Sequence, residues 1–320
     1  MFPPGLYEFL FGVKLRASGD KMRPGERCLI IANHRTRLDW MFMWSLLTRT
    51  TYAPHEKIIL RGDLKHIPGF GWAMQMAGYY FLSRSWAKDQ SYLAKKIGYM
   101  MNTPEPHKLL IFPEGTDFEP HTKARSDKFA AKEGLPHLEY LLHPRTTGFL
   151  HCVEQCRLGS MDSIYDITIM YPKNLPQRGE LDLLTGQFPD ELHMNIQRID
   201  FNDLPEDKVE LEEWLKQRWY NKEKVLKLGY EKGHFEADDP AKPYFTPYLS
   251  SRHPLLVNFI CWNTVLILLY YLIITNPMTR WYLLGSNIIC LVLSSTGLLE
   301  DLDRRMNVPE YVECDRVKHE

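Results

Sequence analysis

The sequence predicts an α/β domain, a mostly parallel sheet flanked by helices, followed by a C-terminal transmembrane helical hairpin. Three observations predict it. Short apolar runs alternate with longer mixed stretches over roughly the first 230 residues, which is the pattern of strand–helix–strand units. Charge nearly cancels, 39 Lys plus Arg against 40 Asp plus Glu, as in an ordinary globular domain. From Pro254 to Leu299, however, the only charged side chain is Arg280.

In chain order, Leu6–Val13 is a short apolar run broken by Glu8, either a core helix or a segment lying in a membrane interface. It is too short for a signal-peptide core plus cleavage site. Strands are expected at Arg27–Ala32, Tyr79–Leu82, Lys108–Phe112 and Ile164–Tyr171. Helices are expected at Trp40–Leu47, Ala87–Met101 and Ser126–Glu133. Glu206–Tyr230 is strongly charged but carries a helical stripe through Leu211, Trp214, Leu215, Trp219 and Val225, so it reads as a surface helix packed by one face. The α/β domain thus takes residues 1–230, including this amphipathic helix, and 231–253 reads as a polar linker.

Residues 254–299 carry the expected hairpin, whose alternative reading is a helical hairpin buried inside a soluble domain. Pro254–Thr275 is long enough, at 1.5 Å per residue, to span about 33 Å, and Trp281–Leu299 is nearly long enough to cross a hydrocarbon core. Asn276-Pro277 between them is a helix-breaking turn. Folding about that turn puts Asn263 and Asn287 at similar depth, where they are expected to hydrogen-bond across the pair. Residues 300–320 form a polar tail.

The composition excludes several function classes. A formal net charge of −1 argues against nucleic acid as a partner, since that task usually leaves a basic excess. The six cysteines form no C-x-x-C pair, neither a disulfide framework nor a zinc pattern. There is no H-E-x-x-H, and the 12 histidines are scattered, so no metal site is expected. No G-x-G-x-x-G or P-loop occurs, leaving no case for a bound nucleotide cofactor.

Four segments carry chemistry. The first is Asn33-His34-Arg35-Thr36-Arg37-Leu38-Asp39, directly after an apolar strand. In one continuous helix, positions i and i+5 lie about 140° apart and cannot meet. A turn between strand and helix can bend Asp39 back so that its carboxylate holds one nitrogen of His34 and leaves the other as a base. A capping role alone would also account for an aspartate at that place. The second, Gly78–Arg84, is a strand delivering an arginine, whose planar fork of donors suits a phosphate. The third, Phe112-Pro113-Glu114-Gly115-Thr116, is a strand-to-loop turn at which backbone can approach a ligand closely. The fourth, His143-Pro144-Arg145-Thr146-Thr147-Gly148, reads as an extended turn.

Together, in this order, the four segments resemble the conserved blocks of the glycerolipid acyltransferases. The wording of Asn33–Trp40, Pro68–Met74 and His143–Gly148 is most similar to the lysocardiolipin acyltransferase branch. The resemblance implies the glycerolipid acyltransferase fold and transfer of an acyl group from acyl-CoA, a co-substrate, to a free hydroxyl of a lysophospholipid. No cofactor is then needed. His34 is implied as the general base and Asp39 as its partner. Arg84, Glu114, Gly115 and Thr116 are implied to bind the glycerol-phosphate part of the acceptor. Glu114 is expected to accept from a glycerol hydroxyl or to hold Arg84. Arg35 and Arg37 are open: they attract a polyanionic acceptor or CoA phosphates, or are solvated. Trp40, Met41, Met43, Met74 and Met76 are candidates for an acyl-chain tunnel, although core packing explains most of them equally.

Two departures stand out. Members of that branch commonly have another membrane helix before the catalytic region. Here only Leu6–Val13 precedes the first expected strand, so a shorter form or an interfacial anchor is expected. Asp117-Phe118 follows the third block where the family often has Arg-Ser, so no role is carried to either residue. The implied partners are acyl-CoA, a lysophospholipid and the lipid bilayer; no protein partner is indicated. The implied location is the endoplasmic reticulum membrane with the catalytic domain facing the cytosol. Two other readings are a serine-type lipid esterase, for which no G-x-S-x-G exists, and a non-catalytic lipid-binding protein.

Overall fold

Three apolar strands form the centre of the fold: β2 (Cys28–Ala32), β5 (Lys108–Ile111) and β6 (Ser163–Met170), the last two flanking β2 in parallel. The structure, a computed structural model, describes residues 6–50, 55–235 and 253–300. The central strands read as continuous apolar runs because both faces of the sheet are covered. Ile30 and Ala32 point into one core with Phe42, Met43 and Leu46. Leu29 and Ile31 point into the other with Leu93, Phe149 and Trp219.

Among the described residues the sheet has seven strands, adding β1 (Lys14–Gly19), β3 (Glu56–Arg61), β4 (Tyr80–Leu82) and β7 (Glu191–Asp200), in the order β1-β7-β6-β2-β5-β3-β4. Neighbours are parallel except β6 and β7, so β1 and β7 run against the other five. The sheet is therefore mixed. One face is covered by α1 (Asp39–Thr50), α2 (Phe70–Met76) and the turn Leu6–Leu10. The other is covered by α3 (Trp86–Asn102), α5 (Thr146–Arg157) and α7 (Lys208–Lys232). Two further helices, α4 (Pro120–Glu133) and α6 (Glu180–Leu184), lie in the connections.

Several elements differ from expectation for local reasons. β1 and β3 carry charges inside the strand, which hid them; Lys57 is accommodated by donating to the Ala77 carbonyl at 2.8 Å. α4 starts well before Ser126, because Pro120 takes its first turn and Glu119 forms a capping box with Thr122. The expected extended turn at His143–Gly148 ends at Arg145, and α5 begins at Thr146. α7 runs two residues past Tyr230, closed by Gly233 in the left-handed region at φ 76°. The rest of the expected linker, 236–252, and the tail from 301 onward lie outside the described residues.

The apolar C-terminal segment forms α8 (His253–Thr275) and α9 (Pro277–Ser295). Among the described residues, no single helix is long and apolar enough to cross a membrane. Phe259–Thr275 and Pro277–Ser295 reach that composition together, bent by 109°. The corner is built: Pro277 opens α9 and the Asn276 side chain accepts from the Met278 N–H at 2.9 Å. The expected bond between Asn263 and Asn287 does not form. Each amide donates instead to its own helix, Asn263 to the Phe259 carbonyl and Asn287 to the Leu283 carbonyl, both at 2.7 Å. A short side chain reaches the carbonyl one turn back more easily than a neighbouring helix. α9 is tied to the domain through Gln75, which donates to Ser294 at 2.9 Å.

Candidate active site

Because β2, β5 and β6 are parallel, the loops after them emerge at the same edge of the sheet, where α/β sites open. Asn33 fixes the end of β2. Its buried amide donates to the Ile169 carbonyl at 3.0 Å and accepts from the Ile169 N–H at 2.7 Å, continuing the ladder with a side chain. The chain then turns through residues 34–38, and α1 starts at Asp39.

That turn brings His34 and Asp39 together, with Nδ1 2.9 Å from Asp39 Oδ2. Asp39 is fully buried and accepts three more hydrogen bonds. The Arg35 and Thr36 N–H groups donate to Oδ2 at 2.6 and 3.0 Å, and the Tyr171 hydroxyl donates to Oδ1 at 2.6 Å. A carboxylate with this set of donors accepts from Nδ1–H, so the lone pair of the imidazole resides on Nε2. Nε2 has no hydrogen-bond partner among the described residues, and the His34 side chain is 16% exposed. The ring stacks on Phe112 with centroids 4.2 Å apart, and the Phe118 N–H holds the His34 carbonyl at 2.8 Å.

The loop after β5 places Glu114, Gly115 and Thr116 beside this pair. Gly115 has φ 72°, and a Cβ there would stand 3.1 Å from the Arg145 side chain, which lies across the glycine. The Arg145 N–H also binds the Pro113 carbonyl at 2.7 Å, joining the third and fourth segments. Thr116 is half-buried and donates to Asp117 at 3.2 Å. Glu114, however, is enclosed. It accepts from the Trp219 indole N–H at 3.2 Å and meets neither solvent nor Arg84. Burial pushes its carboxyl up to about 8, against the opposing influence of Trp219 and the Arg35 charge. Both roles expected of Glu114 thus give way to an internal one: a short carboxyl on this turn points under the loop toward α7.

Arg84 follows β4, at the outer edge of the sheet with β3 and β5 between it and β2. Two intervening strands put it about 14 Å from the end of β2. It is exposed and holds φ 64°, a strained value for a side chain with a Cβ. Arg35 is turned into the protein, bonding the Tyr140 carbonyl at 2.6 Å and lying 4.4 Å from the Phe118 ring centroid. Arg37 is exposed and ion-paired with Asp117 at 3.3 Å and Glu119 at 2.7 Å. Of the tunnel candidates, Met41, Met43 and Met74 are core residues, while Met76 is 54% exposed. Two serines close to the four segments are hydrogen-bonded elsewhere: Ser83 donates to Asp89, and Ser126 accepts from the His143 N–H.

Sequence reasoning passed over Tyr171, Asp117 and Trp219. Tyr171 had a weak signal, an aromatic hydroxyl just past a wholly buried strand. Trp219 sits in the apolar stripe of α7, where nothing separates a packing indole from a donating one.

With this geometry in place, comparison with known proteins decides the family. Residues 14–172 match the family model described as acyltransferase, and residues 182–262 match that described as acyltransferase C-terminus. The chain is 45% identical to lysocardiolipin acyltransferase 1 of Gallus gallus, over 88% of this chain and 75% of that one. The chain belongs to the acyltransferase family. Within it, this acyltransferase falls in the lysocardiolipin acyltransferase branch, and it is an O-acyltransferase. It is also 43% identical to lysophosphatidylinositol acyltransferase 10 of Caenorhabditis elegans, over 70% of this chain and 58% of that one. Against 1-acyl-sn-glycerol-3-phosphate acyltransferase 2 of Brassica napus the figure is 33%, over 67% and 56%. The first family match spans the His34–Asp39 turn and the Glu114 loop. The second spans α7, which supplies Trp219.

Proposed function

We propose that this acyltransferase moves a fatty acyl group from acyl-CoA to a free hydroxyl of a lysophospholipid, with His34 as general base. The observation that carries the reading is the 2.9 Å His34–Asp39 contact, with Asp39 saturated by donors and Nε2 left free on the open side. A thioester is already an activated acyl donor, so the protein needs no nucleophile of its own; an alcohol acceptor needs a base. Nε2 takes the hydroxyl proton as the oxygen adds to the thioester carbonyl. The tetrahedral intermediate then breaks its C–S bond, and the departing thiolate receives the proton back from Nε2. The products are the ester and free CoA. Asp39 holds the tautomer and stabilises the imidazolium.

The names of the relatives point to acceptors that share a phosphate-bearing glycerol and an unesterified hydroxyl. Gly115 and Thr116 line the approach to His34, and the cations suited to the phosphate are Arg145, across Gly115, and Arg84, farther along the same edge of the sheet. The bent α8–α9 pair, apolar and largely exposed, inserts into the bilayer, and its tie to α2 keeps the domain at the membrane surface. The location that fits a cytosolic acyl-CoA pool is the endoplasmic reticulum membrane, with the catalytic domain on the cytosolic side.

The test is to measure CoA release and lipid product from the full chain in detergent. The acceptors are lysocardiolipin, lysophosphatidylinositol and 1-acylglycerol-3-phosphate. Acyl transfer that depends on acceptor is expected, with His34→Ala lowering kcat by about 10²–10⁴. Equal turnover by wild type and His34→Ala, or release of free fatty acid without acceptor, contradicts the reading.

A further inference from the structure

The loop after β5 sets a second carboxylate, Asp117, beside the His34 turn, paired with Arg37 of that turn. Phe118, the next residue after Asp117, is hydrogen-bonded through its N–H to the His34 carbonyl at 2.8 Å, and Phe112, at the start of the same loop, stacks on the ring. The loop is therefore fastened to His34 at both of its ends, with Asp117 between. The Asp117 side chain is 17% exposed and held in place on both oxygens, Oδ1 by Thr116 at 3.2 Å and Oδ2 by Arg37 at 3.3 Å. Burial opposes ionisation of this carboxyl, yet it titrates below its ordinary value, drawn down first by the charge of His34 and then by its own backbone and Arg37.

Asp39 is the obvious counter-charge for an imidazolium, but its charge is already shared among the Arg35 and Thr36 N–H groups and the Tyr171 hydroxyl. Asp117 is held by Thr116 and its own backbone and, among the described residues, is ion-paired with a single cation, Arg37, which divides its own charge with Glu119 at 2.7 Å. Charge-sharing of this kind leaves Asp117 available to respond when His34 becomes positive.

We propose that Asp117 is a positioning residue acting through His34, a second counter-ion that stabilises the imidazolium formed during acyl transfer, with Arg37 setting its strength. This rests on the reading of His34 as general base. The other charged or titratable groups around the imidazole are Asp39 and Arg35 on its own turn, and Glu114 and Glu119 on the facing loop. Farther out are Tyr171 after β6, Arg145 ahead of α5, and Lys222 and Tyr230 on α7. Among the described residues, the cation paired with Asp117 is Arg37.

The sign of the effect follows from which form of the base is active. A nearby anion favours the protonated ring, so it raises the pH at which the free base appears. Removing the anion moves the acid limb of the kcat/KM–pH profile down; removing the cation that offsets it moves the limb up. The experiment compares full-length wild type, Asp117→Asn, Asp117→Glu and Arg37→Gln in detergent at fixed ionic strength, with 1-acylglycerol-3-phosphate and acyl-CoA. Expected are a downward shift of about half a pH unit or more in Asp117→Asn with kcat reduced about 3–10-fold, an upward shift in Arg37→Gln, and recovery of the wild-type limb in Asp117→Glu. Limbs that stay put, or that move the same way in both variants, overturn the inference, because a loop that is merely disordered lowers kcat without shifting limbs in opposite directions. His34→Ala, run alongside, separates the two failures: full activity there removes the base itself, whereas its inactivity with unmoved limbs removes only the role of Asp117.

Discussion

Asp39 shows how much a single buried carboxylate has to be given before it can serve an imidazole. Four donors converge on its two oxygens, so no lone pair in reach of the site is left to compete for the Nδ1 proton. Tyr171→Phe removes one of the four without changing the ring. The expected result is a kcat lowered by about tenfold, in line with a hydrogen bond to a charged group, with little change in KM; unchanged kcat would show that the hydroxyl only packs. A second residue-scale expectation concerns Glu56 on β3. Its carboxyl is enclosed, and burial raises it to about 8 despite the nearby Trp44 side chain and the charge of Lys108, its register partner on β5. The folded state then binds more protons than the unfolded one. Glu56 is least costly below the ordinary value of 4.5, and stability is lost as pH rises from there through 8, by roughly 1.4 kcal/mol per pH unit. Glu56→Gln should therefore leave thermal stability little changed at pH 5 and raise Tm relative to wild type at pH 9. A Tm difference that is the same at both pH values would contradict this. At this scale the sequence showed His34 and Asp39 because both sit in one short segment. Tyr171 and Asp117 reach the pair from 132 and about 80 positions away, and no local spacing records that.

The element that does most to support the site from outside the central strands is α7. Its Asp207 cap starts the helix, accepting from the Val209 and Glu210 N–H groups, and its inner face delivers Arg218, Trp219 and Lys222 beneath the sheet edge. Arg218 and Lys222 both pair with Asp166 on β6, and Lys222 also donates to the Ile167 carbonyl at 2.6 Å. Trp219→Phe keeps most of the buried ring but removes the donor to Glu114. We expect a loss of about 1–3 kcal/mol in the free energy of unfolding with the denaturant slope unchanged; an unaltered midpoint would mean that Glu114 is satisfied without the indole. The helical stripe of α7 was readable because its period survives its charge. α5 carried an equally clear pattern, Phe149, Cys152, Val153 and Cys156 at helical spacing and all buried, but beside the expected turn at His143–Gly148 no helix was expected there. β1, β3 and β7 were hidden by charged residues that the fold accommodates only through distant partners, as with Arg16 and Glu191 across β1 and β7 at 2.8 Å.

At the scale of the whole molecule, the parallel run of β2, β4 and β5 explains why the first three segments share one edge, and the strand alternation that signalled an α/β domain was sufficient to anticipate it; the fourth joins them through the Arg145–Pro113 bond. The antiparallel step at β6–β7 was not legible, since a strand's direction depends on the path of the chain between strands. The apolar character of the C-terminal segment was equally plain, but the 109° corner at Asn276–Pro277 was not. If this pair embeds in lipid, the chain should stay with membranes through alkaline carbonate washing, and Ile267→Arg with Leu268→Arg should release it; retention of that double variant would place the membrane contact elsewhere. Turnover by the intact chain draws on every one of these levels, and a double-mutant cycle on acyl transfer tests the centre most directly. His34→Ala, Asp39→Asn and the double variant are compared for kcat/KM with acyl-CoA and a lysophospholipid. The account predicts that each single change removes most of the activity and that the double variant is little worse than His34→Ala, because the carboxylate works only through the imidazole. Independent losses that multiply in the double variant would contradict it.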